Sequence, residues 1–181
     1  GWHCINIDPT PGSKRIFDKV RPRDTNLQLA VSQTDGQGYF YMVGQQPSVW
    51  NTLDRDAAAS VAQKTGMEAK TIVIEQRRLE TILDCHLKGR SFELLAIDAE
   101  GYDIEILKSN NFARFAPRVI LIEVFLPSLE AIAASEVYAY LTRAGYTLYS
   151  WLNPNLMFVR NDSLDWEDAS QIQLLPAGQL A

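Results

Sequence analysis

Three acidic side chains stand where apolar runs of this sequence end or are interrupted. Asp8 follows the run CINI, Asp98 follows FELLAI, and Glu123 lies inside VILIEV. A carboxylate beside a buried strand needs hydrogen-bond partners or water, because burying it unpaired is costly. In open α/β sheets, ligands bind beyond the carboxyl ends of the strands. The three positions are therefore candidates for contact with a cofactor or a substrate.

The segment Asp98-Ala99-Glu100-Gly101 offers the most definite chemistry. Two neighbouring carboxylates can separate in pKa, so that one of them serves as a base. Gly101 permits an unusual backbone angle or the close approach of a ligand. The alternative is structural, because Asp and Glu are also favoured at the amino end of a helix. Both interpretations fit these four residues equally well.

The other two carboxylates carry weaker local signals. An acid that ends the second strand of a nucleotide-binding half accepts hydrogen bonds from ribose hydroxyls, and Asp8 is in a position to do so. The local sequence of Asp8 and Pro9 favours the alternative, a turn or a helix cap. Glu123 is unusual in an apolar strand. It either contacts substrate or supports a neighbouring loop, and the supporting role is slightly favoured.

Periodicity and turn residues predict the elements that must position these side chains. The predicted strands are Cys4–Ile7, Asn26–Ser32, Gly38–Val43, Thr71–Ile74, Phe92–Ile97, Val119–Val124, Tyr146–Ser150 and Leu156–Val159. The predicted helices are Ser13–Val20, a segment from a cap at Asp54 or Asp56 to about Lys64, Leu79–Leu87, a helix after Gly101, and Ser135–Ala144. Asp35-Gly36 predicts a hairpin turn.

This alternation of strands and helices predicts one α/β domain over residues 1–181, with a mostly parallel sheet covered on both faces. The two closing strands are joined by the short turn Asn153-Pro154-Asn155, so they must be antiparallel. The residues beyond Asn161 are acidic and then apolar, and no element is assigned to them.

Composition excludes several classes of partner. The 181 residues carry a net charge of -5 and have no Lys/Arg run, which argues against nucleic acid. No apolar stretch approaches the roughly 18–20 residues that would span a bilayer, so no membrane is expected. Two cysteines form no disulfide framework, which predicts a cytoplasmic location. No His/Cys spacing is typical of a metal site, and no metal is predicted.

Four segments, in order, resemble the FkbM-type methyltransferases. They are GWHCINIDPTP, RPRDTNLQLAVSQTDG, LLAIDAEGYDIEILKS and PRVILIEV. The specific part is the Asp-x-Glu-Gly of Asp98–Gly101, which in the family ends the fourth strand. The resemblance extends from Gly1 to about Val159. It implies a Rossmann-like class I methyltransferase sheet of seven strands, with an antiparallel strand in the last pair.

The resemblance also implies S-adenosyl-L-methionine as cofactor and O-methylation of a hydroxyl on a sugar, glycan or small natural product. The family's first strand and the glycine-rich turn after it have no counterpart among these residues. Either the sequence is incomplete at its amino end, as we expect, or another chain fills the gap. We also expect the isolated chain to bind the cofactor weakly.

Site residues follow from the same resemblance and from the strand ends. Asp98 and Glu100 are predicted at the methyl-transfer site, one of them taking the proton of the acceptor hydroxyl. The predicted cofactor contacts are Asp8, Pro9, Ala30, Val31 and Asp98. The predicted substrate contacts are Glu123, Asn51 and Thr52, the last two on a variable loop of the kind that carries specificity.

Two other functions fit part of the sequence. One is a non-catalytic methyltransferase-fold remnant that binds a partner or nothing. The other is an NAD-dependent oxidoreductase, because an acid after the second strand also suits NAD. The Asp98–Gly101 segment and the closing strand pair argue against the oxidoreductase. The acceptor and the oligomeric state are left open by the sequence.

Overall fold

The computed structural model describes residues 1–46 and 48–164, and it alternates strands with helices along that range. The strands are β1 (Ile5–Ile7), β2 (Thr25–Leu27), β3 (Ala30–Val31), β4 (Gly36–Val43), β5 (Ala69–Arg77), β6 (Leu94–Ile97), β7 (Val119–Glu123), β8 (Tyr146–Leu152) and β9 (Asn155–Arg160). The helices are α1 (Ser13–Val20), α2 (Arg55–Thr65), α3 (Leu79–Leu87), α4 (Asp103–Lys108), α5 (Leu129–Ala133) and α6 (Glu136–Arg143). A 3-10 turn, Asn161–Ser163, follows β9.

The strands form three sheets rather than one. Their orders are β1-β2, β3-β5-β4 and β6-β7-β9-β8. Three pairs are parallel, namely β1 with β2, β3 with β5, and β6 with β7, and the other three are antiparallel. The prediction of one mostly parallel sheet is therefore wrong, because β4 returns antiparallel on β5 and β9 enters antiparallel beside β7. The mixed α/β class and the antiparallel pairing of β8 with β9 are confirmed.

The predicted strand Asn26–Ser32 is split between two sheets. Its first part, β2, pairs with β1, and its second part, β3, pairs with β5. Between them the side chain of Gln28 turns away and accepts a hydrogen bond from the amide of Gly12 at 2.8 Å. An apolar run of this length does not reveal which of two partners each half will find.

The prediction of a hairpin at Asp35-Gly36 is wrong. Strand β4 does not pair with β3, and its antiparallel partner is β5, which follows only after α2. The Asp35 carboxylate instead accepts hydrogen bonds from the amide of Arg78 at 2.9 Å and the hydroxyl of Thr81 at 3.1 Å. Asp35 therefore connects this loop to the start of α3 through hydrogen bonds, and it does not form a hairpin turn.

Helix predictions were more accurate. The bounds of α1 and α3 are those predicted, and α2 begins after Asp54, whose carboxylate accepts from the amides of Asp56 at 2.8 Å and Ala57 at 3.0 Å. Such capping satisfies amide groups that have no partner within the helix. Helix α5 was not predicted, because five residues are too few for a periodic signal.

Two apolar clusters hold the elements together. The larger one packs β6, β7 and β9 against α4, α5 and α6 through residues such as Ile122, Leu107 and Leu141. The smaller one is built on Leu79, Leu83 and Leu87 of α3 with Phe115, and both Ile5 of β1 and Leu95 of β6 pack against it. Helix α3 therefore contacts the two sheets that contain β1 and β6, the strands followed by Asp8 and Asp98.

One predicted burial is wrong. β6 was expected to be a buried strand, yet Leu94 is 45% exposed, because in the described residues β6 pairs only with β7. On α1, the apolar residues Ile16 and Val20 are 61% and 62% exposed. Apolar residues at helical spacing indicate a face, and the neighbours of that face decide whether it is buried.

Candidate active site

A cavity of about 530 Å³ opens at the carboxyl ends of β6 and β7. These strands are parallel neighbours, with Ile97 opposite Ile122, so the residues that follow them meet at one edge of the sheet. Asp98 comes directly after β6, and Glu123 is the last residue of β7. Together with Glu100, they line the cavity.

The rest of the cavity wall is mostly apolar. Its other lining residues are Val49, Trp50, Thr52, Ala57, Val61, Gly101, Asp103, Ile104, Val124, Phe125, Ser135, Glu136 and Val137. No Lys, Arg or His is among these described lining residues. Glu136 at the rim is paired with Lys108 at 2.8 Å. The cavity therefore combines an acidic part, the carboxylates of Asp98, Glu100 and Glu123, with apolar sides and two aromatic rings. We call these three carboxylates the acidic floor.

The turn that carries Glu100 has a special backbone. Glu100 has φ 50° and Gly101 has φ 92°, so two consecutive residues lie in the left-handed region. A non-glycine residue pays a conformational cost there, and such residues persist only where surrounding contacts hold them. Here Asp103 accepts from the amides of Ala99 at 3.0 Å and Gly101 at 3.1 Å.

Burial, and after it the charges of neighbouring carboxylates, raises the proton affinity of Glu100 and Glu123. Burial raises the pKa of Glu100, and the charges of Asp98, Glu123 and Asp103 raise it further. Burial likewise raises the pKa of Glu123, followed by the charges of Asp98 and Asp103 and a side-chain hydrogen bond with Asp98. A carboxylate with a raised pKa is a stronger base at neutral pH than an ordinary one.

Comparison with known proteins decides the family. The family model described as the methyltransferase FkbM domain matches residues 1–148. The chain belongs to the FkbM methyltransferase family. No curated protein and no solved structure gave a match.

The fold of this methyltransferase brings four of the predicted site residues together. Asp98, Glu100, Glu123 and Thr52 all line the one cavity. The Thr52 hydroxyl donates to the backbone carbonyl of Glu100 at 3.4 Å. Asn51 is not brought there. Its side-chain oxygen accepts from the amide of Val43 at 3.1 Å, and this bond holds the base of the loop.

The remaining predicted cofactor contacts of the methyltransferase lie elsewhere. Asp8, Pro9, Ala30 and Val31 are not among the residues that line the cavity. The Asp8 carboxylate accepts from the amide of Thr10 at 2.7 Å, as a turn-forming Asp does. Ala30 is buried in β3, and Val31 packs against the α3 cluster.

The helix-capping alternative for Asp98 and Glu100 gains no support from the described contacts. Helix α4 has Tyr102 at its N-cap position and no side-chain capping bond. The side chain that binds backbone amides in this turn belongs to Asp103 instead. Among the described contacts, neither the Asp98 nor the Glu100 carboxylate caps helix α4.

Asp103, Trp50 and Phe125 are among the cavity residues that the sequence did not single out. Asp103 stands three residues after Glu100, and an acid at that spacing after an Asp-x-Glu-Gly turn could have been tested as a turn-binding group. Trp50 and Phe125 line the cavity, and Phe125 is 74% exposed. The available signal for Phe125 was an aromatic residue two positions after the carboxylate that ends β7.

Two further findings concern what the described part of the chain does not contain. No helix within residues 1–46 and 48–164 is long and apolar enough to cross a bilayer. Over the same residues, no group of three or more His, Cys, Asp or Glu side chains is arranged to hold a metal ion.

The raised pKa of Glu100 makes the stability of the folded protein depend on pH. The raised pKa of Glu100 means that the folded state binds its proton more tightly than the unfolded state does. That stabilisation is fully present below the unfolded pKa and is lost as pH rises through the higher folded pKa. We therefore expect Glu100→Gln to melt at a higher temperature than the wild type at about pH 7.

The same difference should shrink as pH falls below the ordinary Glu pKa of 4.5, where both side chains are neutral. Melting curves of both proteins across this range measure the effect. Glu130→Gln is the control, because the Glu130 pKa is lowered by hydrogen bonds from Ser128 and its own backbone. Equal melting temperatures for wild type and Glu100→Gln at every pH would contradict the prediction.

Proposed function

We propose that this chain belongs to an S-adenosyl-L-methionine-dependent O-methyltransferase with a class I fold. The observation that carries the proposal is the meeting of Asp98, Glu100 and Glu123 in one cavity at the carboxyl edge of β6 and β7. The parallel pairs β1-β2 and β6-β7 and the antiparallel β8-β9 pair are consistent with that fold.

The charge of the cavity fits this cofactor. S-adenosyl-L-methionine supplies an electrophilic methyl group on a positively charged sulfonium. The titratable lining residues among those described are all acidic, and Lys108, which does not line the cavity, is paired with the rim residue Glu136 and with Glu105. Carboxylates within a few ångströms favour a cation in a partly desolvated site. Asp98 is the residue we assign to the cofactor side of this cavity.

Glu100 is the residue best placed to take the proton of an acceptor hydroxyl. Its pKa is raised by burial and by the charges of its neighbours Asp98, Glu123 and Asp103. A base in the right position contributes about 10²–10⁴-fold to a rate. Glu123 and Thr52 border the same space and are assigned to the acceptor.

The acceptor we propose is a sugar, a glycan or a small natural product with a free hydroxyl. Such molecules combine hydroxyl edges with apolar faces. The acidic floor can accept hydrogen bonds from the hydroxyls, and Trp50 and Phe125 offer ring surfaces to the apolar faces. An acceptor that carries phosphate or carboxylate groups would be repelled by the same floor.

Two measurements on the natural protein test this function. Thermal shift with S-adenosylhomocysteine should raise the melting temperature, whereas NAD should leave it unchanged. Methyl transfer from S-adenosyl-L-methionine should then occur with neutral monosaccharides or polyols and be weaker with their phosphorylated forms. A shift with neither ligand and no transfer would favour a non-catalytic remnant. A shift with NAD alone would favour an oxidoreductase.

A separate prediction concerns Asp8, which follows β1. If its carboxylate holds the ribose hydroxyls, Asp8→Ala removes one or two charge-assisted hydrogen bonds, each worth about 1.5–3 kcal/mol. Affinity for S-adenosylhomocysteine, measured by calorimetry on the natural protein, should then fall about tenfold or more. Asp54→Ala, which removes a helix cap, is the control for a loss of stability alone. An unchanged dissociation constant for Asp8→Ala would leave Asp8 with only its bond to Thr10.

A further inference from the structure

We propose that Asp103 is a positioning residue, which fixes the turn that carries Glu100 and so holds the Glu100 carboxylate at the cavity. This inference rests on the proposed function, in which Glu100 takes the acceptor's proton. Asp103 itself is the first residue of α4.

The contacts of Asp103 span Glu100 on both sides. One carboxylate oxygen accepts from the amide of Ala99 at 3.0 Å, and the other accepts from the amide of Gly101 at 3.1 Å. These two amides belong to the residues directly before and after Glu100. Asp103 is only 7% exposed, so little water competes for these bonds. Its side chain therefore holds the residues on both sides of Glu100 in place.

The backbone of Glu100 needs such a restraint. At φ 50° it occupies the left-handed region, which an L-residue with a long side chain avoids unless other contacts impose it. A second contact reaches the same residue from Thr52, in the loop that follows β4. The Thr52 hydroxyl donates to the carbonyl of Glu100, and Thr52 is itself paired to Tyr41 through backbone bonds of 2.9 and 3.0 Å.

Only a group with two acceptor oxygens can make both bonds of Asp103. An Asn at this position keeps one acceptor but turns an NH₂ group toward the second amide, where two donors would face each other. Asn is nearly equal to Asp in size, so Asp103→Asn removes one of the two bonds and weakens the restraint with little change in packing. The Glu100 backbone is then free to leave the left-handed region.

The test is a double-mutant cycle on the natural protein. Methyl transfer to neutral monosaccharides and polyols is measured as the amount of S-adenosylhomocysteine released. Asp103→Asn should lower kcat by roughly 10- to 100-fold, because a displacement of about 1 Å can cost that much. In a Glu100→Gln background, the same substitution should change kcat by less than about twofold, since the group being positioned has already lost its function.

A matched control separates positioning from simple stability. Asp35→Asn also removes a carboxylate that accepts a backbone amide at the start of a helix, that of Arg78 at 2.9 Å. Neither Asp35 nor its partners Arg78 and Thr81 line the cavity. We expect Asp35→Asn to lower the melting temperature and to leave kcat at the wild-type value in both backgrounds.

A measurement that needs no methyl-accepting substrate completes the experiment. Amide hydrogen exchange at Ala99 and Gly101 should become faster in Asp103→Asn and stay unchanged in Asp35→Asn. Additive effects of Asp103→Asn and Glu100→Gln on kcat, or unchanged exchange at both amides, would overturn the positioning role. A wild-type protein that transfers no methyl group would instead count against the proposed function, and the exchange result would still decide whether Asp103 holds the turn.

Discussion

Replacing Glu100 by Gln, or Asp98 by Asn, is expected to lower kcat of the natural protein by about 10²–10⁴-fold for at least one of the two variants. Each amide has nearly the shape of the carboxylate it replaces, so folding should persist in both variants, and cofactor binding should persist in Glu100→Gln. The physical reason is that the amide cannot accept a proton from the acceptor hydroxyl. Glu100 is the stronger candidate, because burial and three neighbouring acids raise its pKa.

The measurement pairs kcat with the melting temperature and with the affinity for S-adenosylhomocysteine. Glu130→Gln serves as the control for the Glu-to-Gln change itself, because Glu130 lies on α5 and is not among the residues that line the cavity. Its kcat should equal that of the wild type. Wild-type rates with lowered melting temperatures in both Asp98→Asn and Glu100→Gln would show that these carboxylates are structural.

The second large effect is expected in the core. Phe158 is fully buried at the centre of β9, opposite Ile120 of β7 and Leu148 of β8, with the ring of Tyr138 at 6.3 Å. Phe158→Ala should lower the free energy of unfolding by about 3–5 kcal/mol, because it removes apolar contacts and leaves a cavity. Urea denaturation monitored by circular dichroism measures the loss.

Phe125→Ala is the matched control for this change. Phe125 is the same residue type, follows β7 and is 74% exposed, so its loss should change stability by no more than about 0.5 kcal/mol. Similar losses for the two Phe variants would contradict the described burial of Phe158. A midpoint shift without a change in the denaturant dependence would show that stability changed and the denatured state did not.

Several elements could be predicted because their signals are local. The bounds of α1 and α3 followed from apolar spacing. The start of α2 was predicted at a cap on Asp54 or Asp56, and Asp54 is the residue that caps it, since a capping side chain acts within three residues. The antiparallel pairing of β8 with β9 followed from the short turn at Asn153-Pro154-Asn155, because two strands so closely joined cannot run parallel.

Other elements depended on partners distant in sequence. The run Asn26–Ser32 reads as one strand, but its two halves pair with β1 and β5. The turn at Asp35-Gly36 reads as a hairpin, but Asp35 binds the start of α3. The exposure of Ile16 on α1 has the same cause, since apolar spacing defines a face and says nothing of what lies against it.

The sequence by itself determined which residues could carry chemistry. Polar side chains that follow apolar runs mark the carboxyl ends of strands, and Asp98, Glu100 and Glu123 were identified on that ground alone. Resemblance to the FkbM family rested on the same segments, and the match over residues 1–148 bears it out. Both inferences use order along the chain, which the sequence gives directly.

Only the tertiary structure decided which of these residues share a space and what holds them there. It placed Thr52 beside Glu100 and kept Asn51 away from the cavity, although the two are adjacent in sequence. It also showed that Asp103 reaches back to the amides on both sides of Glu100. Side-chain direction and burial depend on packing between distant segments, and no local pattern of residue types encodes them.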